Sequence, residues 1–384
     1  MELVFWASVL ILAYTYAGFP VLVAFWGILR RMRVRQEEVT PTVSVVVAAY
    51  NEEDVIADKL RNCLALDYPA EALEIIVASD GSDDRTEGIV AGFADPRLQL
   101  LALPRRGKIH ALVDAVARAR GEILVFSDAN TMLHPQALHK LMRNFADVTV
   151  GGVCGNQVHV KNRRADSSEG GESLYWSYDK WLKGMQTRTG SIVAADGALY
   201  AIRRNLFRMP ERTAVTDDFA ISTAVVQQKR RLVFEPEALG FEPATGAAGR
   251  EFRRKVRLMN RGMRGVLLRR ELLNPFRYGF YSVILFSHKV VRRLAPIFLL
   301  TLLASNLALT HRRFYAVTAV LQLSFYLLAA AGGLLRSRRA GRQKLLSIPF
   351  FYCLANAAAL VALAGLVRGE QIERWQPQRR ALEA

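Results

Sequence analysis

The sequence predicts an α/β domain with a mostly parallel central sheet, flanked at both ends of the chain by transmembrane helices. Two observations predict this organisation. Apolar runs alternate with stretches of helical periodicity in the middle of the chain, and long apolar segments open and close it. The 384 residues are 51% hydrophobic, yet they carry a formal net charge of +17. This combination favours contact with anionic lipid or a phosphorylated substrate.

The first element is an uncharged segment over 3–29, which is long enough to cross a hydrocarbon core of about 30 Å. No small-residue cleavage site follows it, so a signal peptide is disfavoured; the alternative is a buried core helix. A cluster of arginines follows at once, and the positive-inside rule therefore predicts that residue 36 onward is cytosolic. We take 1–35 as an N-terminal anchor. The arginines of this cluster are Arg30, Arg31, Arg33 and Arg35.

The second element is a soluble domain over 41–249, in which predicted strands and helices alternate. Continuous runs rich in β-branched residues are typical of parallel strands that helices cover on both faces. The predicted strands are 43–49, 73–79, 97–102 and 122–127. The predicted helices between and after them are 53–65, 84–93 and 107–119.

Several functional classes are disfavoured by motifs that the sequence lacks. It has neither GxxxxGK[ST] nor GxGxxG, which argues against a P-loop ATPase and a dinucleotide oxidoreductase. It shows no nucleic-acid-binding module. Three irregularly spaced cysteines give neither a disulfide framework nor a zinc signature.

Polar residues follow three of the predicted strands, where parallel sheets bind their ligands. Tyr50 and Glu52 follow the first strand, Asp80 follows the second, and Asp128 and Asn130 follow the fourth. The alternative for both acidic segments is a turn with a helix N-cap, which the same residue types also fit. Acidic residues at the ends of two neighbouring predicted strands favour a functional site over two separate helix caps.

Arginines recur at steps of four, three, four and three over 250–264, opposite an apolar stripe. This spacing predicts an amphipathic helix with a cationic face. Such a helix either lies on lipid headgroups or clamps a diphosphate, a task suited to guanidinium geometry. The next stretch, 276–293, mixes aromatic residues with cations and predicts an interfacial helix; a cytosolic surface helix is the alternative. We group 250–293 as amphipathic interfacial helices.

Apolar segments over 294–310, 314–335 and 346–367 predict C-terminal transmembrane segments within 294–367, followed by a tail over 368–384. Arginines between the last two segments predict a cytosolic loop. Four spans would place both termini outside, but the tail is also rich in arginine. One segment could therefore be re-entrant or interfacial.

Six short motifs occur in a fixed order along the soluble domain. They are Ala48-Ala49-Tyr50-Asn51-Glu52, Asp80, Gly107-Lys108, Asp128-Ala129-Asn130, Ala195-Asp196-Gly197-Ala198-Leu199-Tyr200 and Thr216-Asp217-Asp218. Together they resemble the motifs of family 2 glycosyltransferases, the relatives of cellulose, hyaluronan and poly-N-acetylglucosamine synthases. The resemblance implies a GT-A-type nucleotide-sugar-binding fold.

The resemblance also implies a role for each matched residue. Asp218 matches the catalytic base. The family's residues on the acceptor side of the site are matched by Asp196, Gly197 and Asp217. The residues matched to donor binding are Ala49, Tyr50, Glu52, Asp80, Lys108, Asp128, Arg254 and Arg257.

The chain departs from the family pattern in two motifs, the second of which also has Arg254 in place of a glutamine. Asp128 and Asn130 occupy the DxD metal motif, so Mg²⁺ or Mn²⁺ is the implied cofactor, but Asn130 offers an amide oxygen without charge. Leu258 stands where the family has a tryptophan that helps to hold a polymer acceptor. This second departure puts processive synthesis in doubt.

The resemblance therefore implies an inverting glycosyltransferase in the cell membrane, with its catalytic domain in the cytosol. It would move a sugar from a nucleotide diphosphate, for which the resemblance suggests UDP and the residues do not exclude GDP, to a polysaccharide or lipid-linked acceptor. One alternative is transfer of a single sugar to a lipid such as polyprenyl phosphate or diacylglycerol; another is a non-catalytic membrane scaffold. The catalytic hypothesis requires that Asp80, Asp128 and Asp218 meet in one pocket, facing the arginines of 250–264.

Overall fold

The computed structural model describes residues 1–160, 169–209, 215–243, 248–336, 338, 341 and 343–370. The predicted tail lies outside the described residues from position 371 onward, as does the side chain of Arg250. The chain divides into two compact units. By its described residues, the helical unit comprises 1–31, 169–189 and 248–370, and the sheet unit comprises 32–160, 190–209 and 215–243.

The helices of the two units are numbered together in chain order. They are α1 Glu2–Ala13, α2 Phe19–Arg30, α3 Ile56–Leu64, α4 Thr86–Ala91, α5 Lys108–Arg118, α6 Ala137–Met142, α7 Glu169–Thr189, α8 Asp217–Gln227, α9 Ala248–Leu268, α10 Pro275–Tyr278, α11 Phe280–Leu285, α12 Arg292–Ala308, α13 Arg313–Leu334 and α14 Lys344–Val367. A π-helical turn over Tyr14–Gly18 joins α1 to α2, and another over Phe286–Val291 joins α11 to α12.

The sheet unit is built on one sheet of eight strands. They are β1 Val43–Ala49, β2 Leu73–Asp80, β3 Leu98–Leu103, β4 Ile123–Ser127, β5 Met132–Leu133, β6 Val150–Val160, β7 Leu199–Arg203 and β8 Arg231–Pro243. Their order across the sheet is β3-β2-β1-β4-β7-β6-β8-β5. β1, β2, β3 and β4 pair in parallel, as do β6 and β8, whereas β7 is antiparallel to both of its neighbours. The mostly parallel α/β fold predicted from the sequence is confirmed.

Burial explains why the central strands are continuous apolar runs. All seven residues of β1 are buried, because β1 lies in the middle of the parallel part of the sheet with helices against it. The helix α3 contributes Ile56, Leu60 and Cys63 to this core, and each is fully buried. Their spacing of four and three residues places them on one face of the helix.

The helical unit contains four helical segments, within its described residues, that are long and apolar enough to cross a membrane. They are Glu2–Arg30, Phe280–Ala308, Arg313–Leu334 and Lys344–Val367. The first and second segments pack together, and hydroxyl groups join them: Ser8 Oγ lies 2.9 Å from Thr301 Oγ1, and Tyr14 OH lies 2.7 Å from Ser287 Oγ.

The second of these segments differs in extent from its prediction. The helix that contains 294–308 begins at Phe280, because the π-helical turn continues α11 into α12 without a break. Most of the stretch 276–293 therefore belongs to the same continuous helix as the predicted span. Its placement in the headgroup region stays a prediction.

Candidate active site

The carboxyl ends of the central strands bring the first site residues together. β1 ends at the fully buried Ala49, and Tyr50 follows it. Asp80 is the last residue of β2, and Asp128 directly follows β4. Since β1 lies between β2 and β4, these three strand ends are neighbours at one edge of the sheet.

Lys108 connects two acidic segments that are distant in the chain. Its Nζ lies 2.7 Å from Asp128 Oδ1 and 3.0 Å from Asp217 Oδ2. It opens α5 directly after Gly107, whose φ of 102° is rarely accessible to other residues. Burial by itself would lower the pKa of Lys108, but the charges of the two carboxylates and their hydrogen bonds raise it above the ordinary lysine value. The side chain is therefore a permanently charged ammonium between two acids.

Asp218 lies in the first turn of α8, where its Oδ1 accepts a hydrogen bond of 2.7 Å from the backbone N–H of Phe219. Burial is the largest cause that raises the pKa of Asp218 to about 6, and the negative charges of Asp217 and Asp196 act in the same direction. The bond from Phe219 and the charge of Lys108 oppose the rise. A carboxylate with a pKa near neutrality is suited to accept and release a proton.

Gly197 marks the point at which the two segments meet. A Cβ atom added to it would lie 3.5 Å from Asp128 Oδ2 and 3.8 Å from Asp218 Oδ2. Both carboxylates therefore border the same position, which lacks a side chain of its own. Six of the predicted site residues therefore form one cluster: Lys108, Asp128, Asp196, Gly197, Asp217 and Asp218.

Asp80 is linked to this cluster by the loop that precedes Lys108. Its side chain is 1% exposed, and its carboxylate accepts hydrogen bonds from the backbone N–H groups of Arg106 and Gly107. It also forms an ion pair with Arg105, whose guanidinium carbon lies 3.3 Å from the centre of the Tyr50 ring. Asp80 thus anchors the loop that leads into Lys108, and it belongs to the same edge of the sheet as Asp128.

Glu52 is the remaining acidic residue of the predicted donor site. Burial is the largest cause that raises the pKa of Glu52 to about 7, and the charges of Asp128 and Asp84 add to the effect. The charge of Lys108 opposes it. Glu52 is therefore electrostatically coupled to the Asp128–Lys108 pair, and its own charge changes near neutral pH.

The oxygen donors around Asp128 fit a hard divalent cation. The carboxylate of Asp128 and the amide of Asn130 lie on one short turn, closed by a 3.1 Å hydrogen bond from Thr131 N–H to the Asp128 carbonyl. Oxygen ligands of this kind suit Mg²⁺ and Mn²⁺. Among the described residues, no group of three or more His, Cys, Asp or Glu side chains could hold a metal ion by itself. A cation at this turn would therefore need oxygen atoms from a ligand as well.

Arg254 and Arg257 belong to the other unit, within α9. Burial is the largest cause that lowers the pKa of Arg257, and the positive charges of Arg261 and Arg254 lower it further. Neighbouring guanidinium groups at this spacing are suited to an anion. Their predicted role as a diphosphate clamp stays a prediction.

The sequence did not point to three residues that lie at this site. Arg105 pairs with Asp80; an arginine shortly before the Gly107-Lys108 motif was the available signal. Lys59 is fully buried beneath the Asp128 turn, with its Nζ 2.7 Å from Ser127 Oγ and 2.5 Å from the Thr131 carbonyl oxygen. Glu242 accepts a hydrogen bond from Asn130, and no sequence pattern singled it out.

Residues 44–209 match the family model described as glycosyl transferase family 2. The chain carries a family 2 glycosyltransferase domain. The match contains Glu52, Asp80, Lys108 and Asp128, and it ends before Asp218. The acidic start of α8 lies beyond the matched residues and meets them through the contacts of Asp217 and Asp218 described above.

Two curated relatives illustrate the range of this family. The chain is 27% identical over 233 residues to a poly-beta-1,6-N-acetyl-D-glucosamine synthase of Staphylococcus aureus, covering 59% of this chain and 56% of the relative. It is 30% identical over 210 residues to a beta-monoglucosyldiacylglycerol synthase of Trichormus variabilis, covering 53% of this chain and 45% of the relative. The chain spans about half the length of the curated relatives it matches.

A solved structure shares the fold over nearly the whole chain. The mannosyltransferase PcManGT of Pyrobaculum calidifontis, in complex with GDP-Man and Mn²⁺, aligns with a TM-score of 0.69 and 21% identity. The alignment covers 96% of this chain and 100% of the mannosyltransferase. This likeness confirms the GT-A-type fold expected for the family 2 glycosyltransferase domain.

Proposed function

We propose that this protein is an inverting glycosyltransferase that moves a sugar from a nucleoside diphosphate onto an acceptor at the membrane. The observation that supports the proposal most strongly is the cluster at Gly197. There, Asp218, a partly buried carboxylate with a pKa of about 6, borders the same position as the Lys108–Asp128 pair. One side of this position is suited to accept a proton, and the other to bind a phosphorylated leaving group.

Asp218 would serve as the general base. The acceptor hydroxyl has a pKa far above neutrality, so its proton must leave as its oxygen attacks the sugar. In the proposed step the proton passes to Asp218 and the acceptor oxygen bonds to the anomeric carbon. The bond from that carbon to the diphosphate oxygen breaks, and its electron pair leaves with the diphosphate. Direct displacement inverts the anomeric centre and needs no second carboxylate as a nucleophile.

Lys108 would bind the leaving diphosphate. Its side chain is only 15% exposed and its ammonium is held by two carboxylates, so it can stabilise the negative charge that develops as the bond breaks. Asp128 and Asn130 would hold Mg²⁺ or Mn²⁺, which when bound supplies further positive charge to the diphosphate oxygens.

The donor would be a UDP- or GDP-sugar, and the acceptor a polysaccharide or a lipid-linked glycan. Leu258 supports the second candidate, transfer of one sugar to a lipid such as polyprenyl phosphate or diacylglycerol. This leucine is 43% exposed at the position where a processive relative carries tryptophan, and it offers less surface on which to stack a sugar polymer. The length of the labelled product, determined by electrophoresis or mass spectrometry, separates the two candidates.

The protein is proposed to lie in the cell membrane with its sheet unit in the cytosol. The helical segment Glu2–Arg30 carries no charged residue between its two ends, and arginines follow it directly. A cationic flank of this kind favours the cytosolic side.

The test is a screen of the full chain, purified in detergent and supplied with membrane lipid extract, against a panel of UDP- and GDP-sugars. Free nucleotide is measured with and without Mn²⁺. We expect one sugar nucleotide to be consumed, with faster release in Mn²⁺. The matched control is Asp58→Asn, which removes a carboxylate of α3 that is 70% exposed and pairs with Arg61, and it should leave the rate unchanged. If no donor is consumed in the presence of acceptor lipid and glycan, the transferase proposal fails and the non-catalytic scaffold takes its place.

A further inference from the structure

Asn130 is hydrogen-bonded to a buried carboxylate on β8. Its Nδ2 donates to Glu242 Oε1 across 3.1 Å, and Gln157 Nε2 donates to the other oxygen, Oε2. Glu242 is only 5% exposed. The neighbouring pair Met132 and Phe241, which joins β5 to β8, brings the turn that holds Asn130 beside this carboxylate.

A carboxylate accepts hydrogen bonds and, when ionised, donates none. The Asn130 amide must therefore present its NH₂ group to Glu242, and its Oδ1 points away from that carboxylate. Without such a partner the two ends of an amide are nearly equivalent in shape and can exchange places. Glu242 thus removes one of the two orientations that Asn130 could adopt.

We infer that Glu242 is a positioning residue for the divalent cation. It fixes the Asn130 amide so that Oδ1 is the ligand oxygen offered from position 130. This inference rests on the proposed function, because it assumes that the cation binds with a nucleoside diphosphate at the Asp128 turn. Partners that orient a metal ligand commonly change metal affinity by about 10–100-fold when they are replaced.

The inference is tested by binding rather than by turnover. Purified full-length protein is titrated with Mn²⁺ in the presence of UDP or GDP, and free Mn²⁺ is followed by electron paramagnetic resonance. Glu242→Gln is expected to weaken Mn²⁺ binding at least tenfold. A glutamine at 242 can donate to Asn130 Oδ1 and so turn the ligand oxygen away from the cation.

An exchange of charge between the two positions provides the sharper test. Asn130→Asp places a second carboxylate within about 3 Å of Glu242, where two like charges cannot both ionise readily. We expect this variant to bind Mn²⁺ more weakly than the unmodified protein at pH 7, although it adds a carboxylate to the motif. The double variant Asn130→Asp with Glu242→Gln should recover binding to within about threefold, because the two residues are in contact and their effects are not additive.

The matched control is Glu235→Gln, at another buried carboxylate of β8. Glu235 is 1% exposed and pairs with Arg143, 3.0 Å away. Its replacement should lower the melting temperature and leave Mn²⁺ affinity unchanged. A merely structural role for Glu242 predicts the same behaviour for Glu242→Gln.

The outcomes separate this inference from the proposed function. If the unmodified protein binds no Mn²⁺ with either nucleotide, the metal-dependent part of the proposed function fails. If it binds Mn²⁺ and Glu242→Gln binds equally well, the proposed function stands and the role of Glu242 is refuted. Tighter Mn²⁺ binding by Asn130→Asp alone would also refute it.

Discussion

Replacement of Asp218 by asparagine should stabilise the protein while it abolishes sugar transfer. In the folded chain the pKa of Asp218 is raised from 3.8 to about 6, first by burial and then by the charge of Asp217. One pH unit corresponds to about 1.4 kcal/mol. The free energy of unfolding at neutral pH is therefore lower by roughly 3 kcal/mol than it would be without this buried charge.

The pH at which this penalty develops follows from the same two pKa values. Below pH 3.8 Asp218 is protonated in both the folded and the unfolded state, and it makes no difference to stability. As the pH rises from 3.8 to about 6, the unfolded state loses its proton first and is favoured. Above about 6 the penalty is complete, so Asp218→Asn should stabilise most at pH 7 to 8 and hardly at all near pH 4.

The assay is thermal unfolding in detergent, followed by intrinsic fluorescence at pH 5 and pH 8. For a domain of 150–250 residues, 1 kcal/mol shifts the melting temperature by about 2–4 °C, so the variant should melt about 6–12 °C higher at pH 8. The gain should be clearly smaller at pH 5. Asp58→Asn provides the control, because Asp58 is exposed on α3.

Two results would refute this reasoning. An Asp218→Asn variant that melts at or below the wild-type temperature at pH 8 would show that the carboxylate is not held at a cost to folding. A gain of equal size at both pH values would show that the stabilisation has a cause other than charge.

Three further predictions concern the same cluster. The turnover rate should fall about tenfold per pH unit below pH 6, where the base Asp218 is protonated; a rate that stays constant from pH 7 to pH 5 would contradict this. Lys108→Met should raise the KM for the donor and move the acidic limb of the pH profile upward, because the charge of Lys108 lowers the pKa of Asp218; an unshifted limb would argue against their coupling. Lys59→Met should reduce the free energy of unfolding by about 1–3 kcal/mol, since it leaves the buried acceptors at Ser127 and Thr131 without their donor; chemical denaturation measures this, and unchanged stability would contradict it.

The strands of the sheet unit could be predicted closely from the sequence. The expected runs 43–49 and 122–127 correspond to Val43–Ala49 and Ile123–Ser127, because a strand buried on both faces must be apolar without interruption. The start of the second membrane segment was less evident. Aromatic and cationic residues over 286–293 interrupt the apolar run but not the helix, which passes through them as a π-helical turn.

The site was predictable only where it lies on strand ends. Asp80 and Asp128 follow buried strands, so their shared edge follows from the parallel sheet. Asp218 lies beside Asp128 because β7 and α8 bring the chain back to that edge of the sheet. Only the family resemblance predicted this contact. Glu242 could not be predicted, because its contact with Asn130 depends on the pairing of β8 with β5, a strand of two residues.

In the proposed reaction Asp218 takes a proton from the acceptor while Lys108 and Asp128 hold the donor. Donor affinity and sugar transfer, measured side by side on one preparation of Asp218→Asn, test it most directly. We expect the variant to bind the sugar nucleotide within about threefold of the unmodified protein and to transfer no sugar. Transfer at the unmodified rate, or loss of donor binding together with transfer, would contradict the assignment of Asp218 as the base.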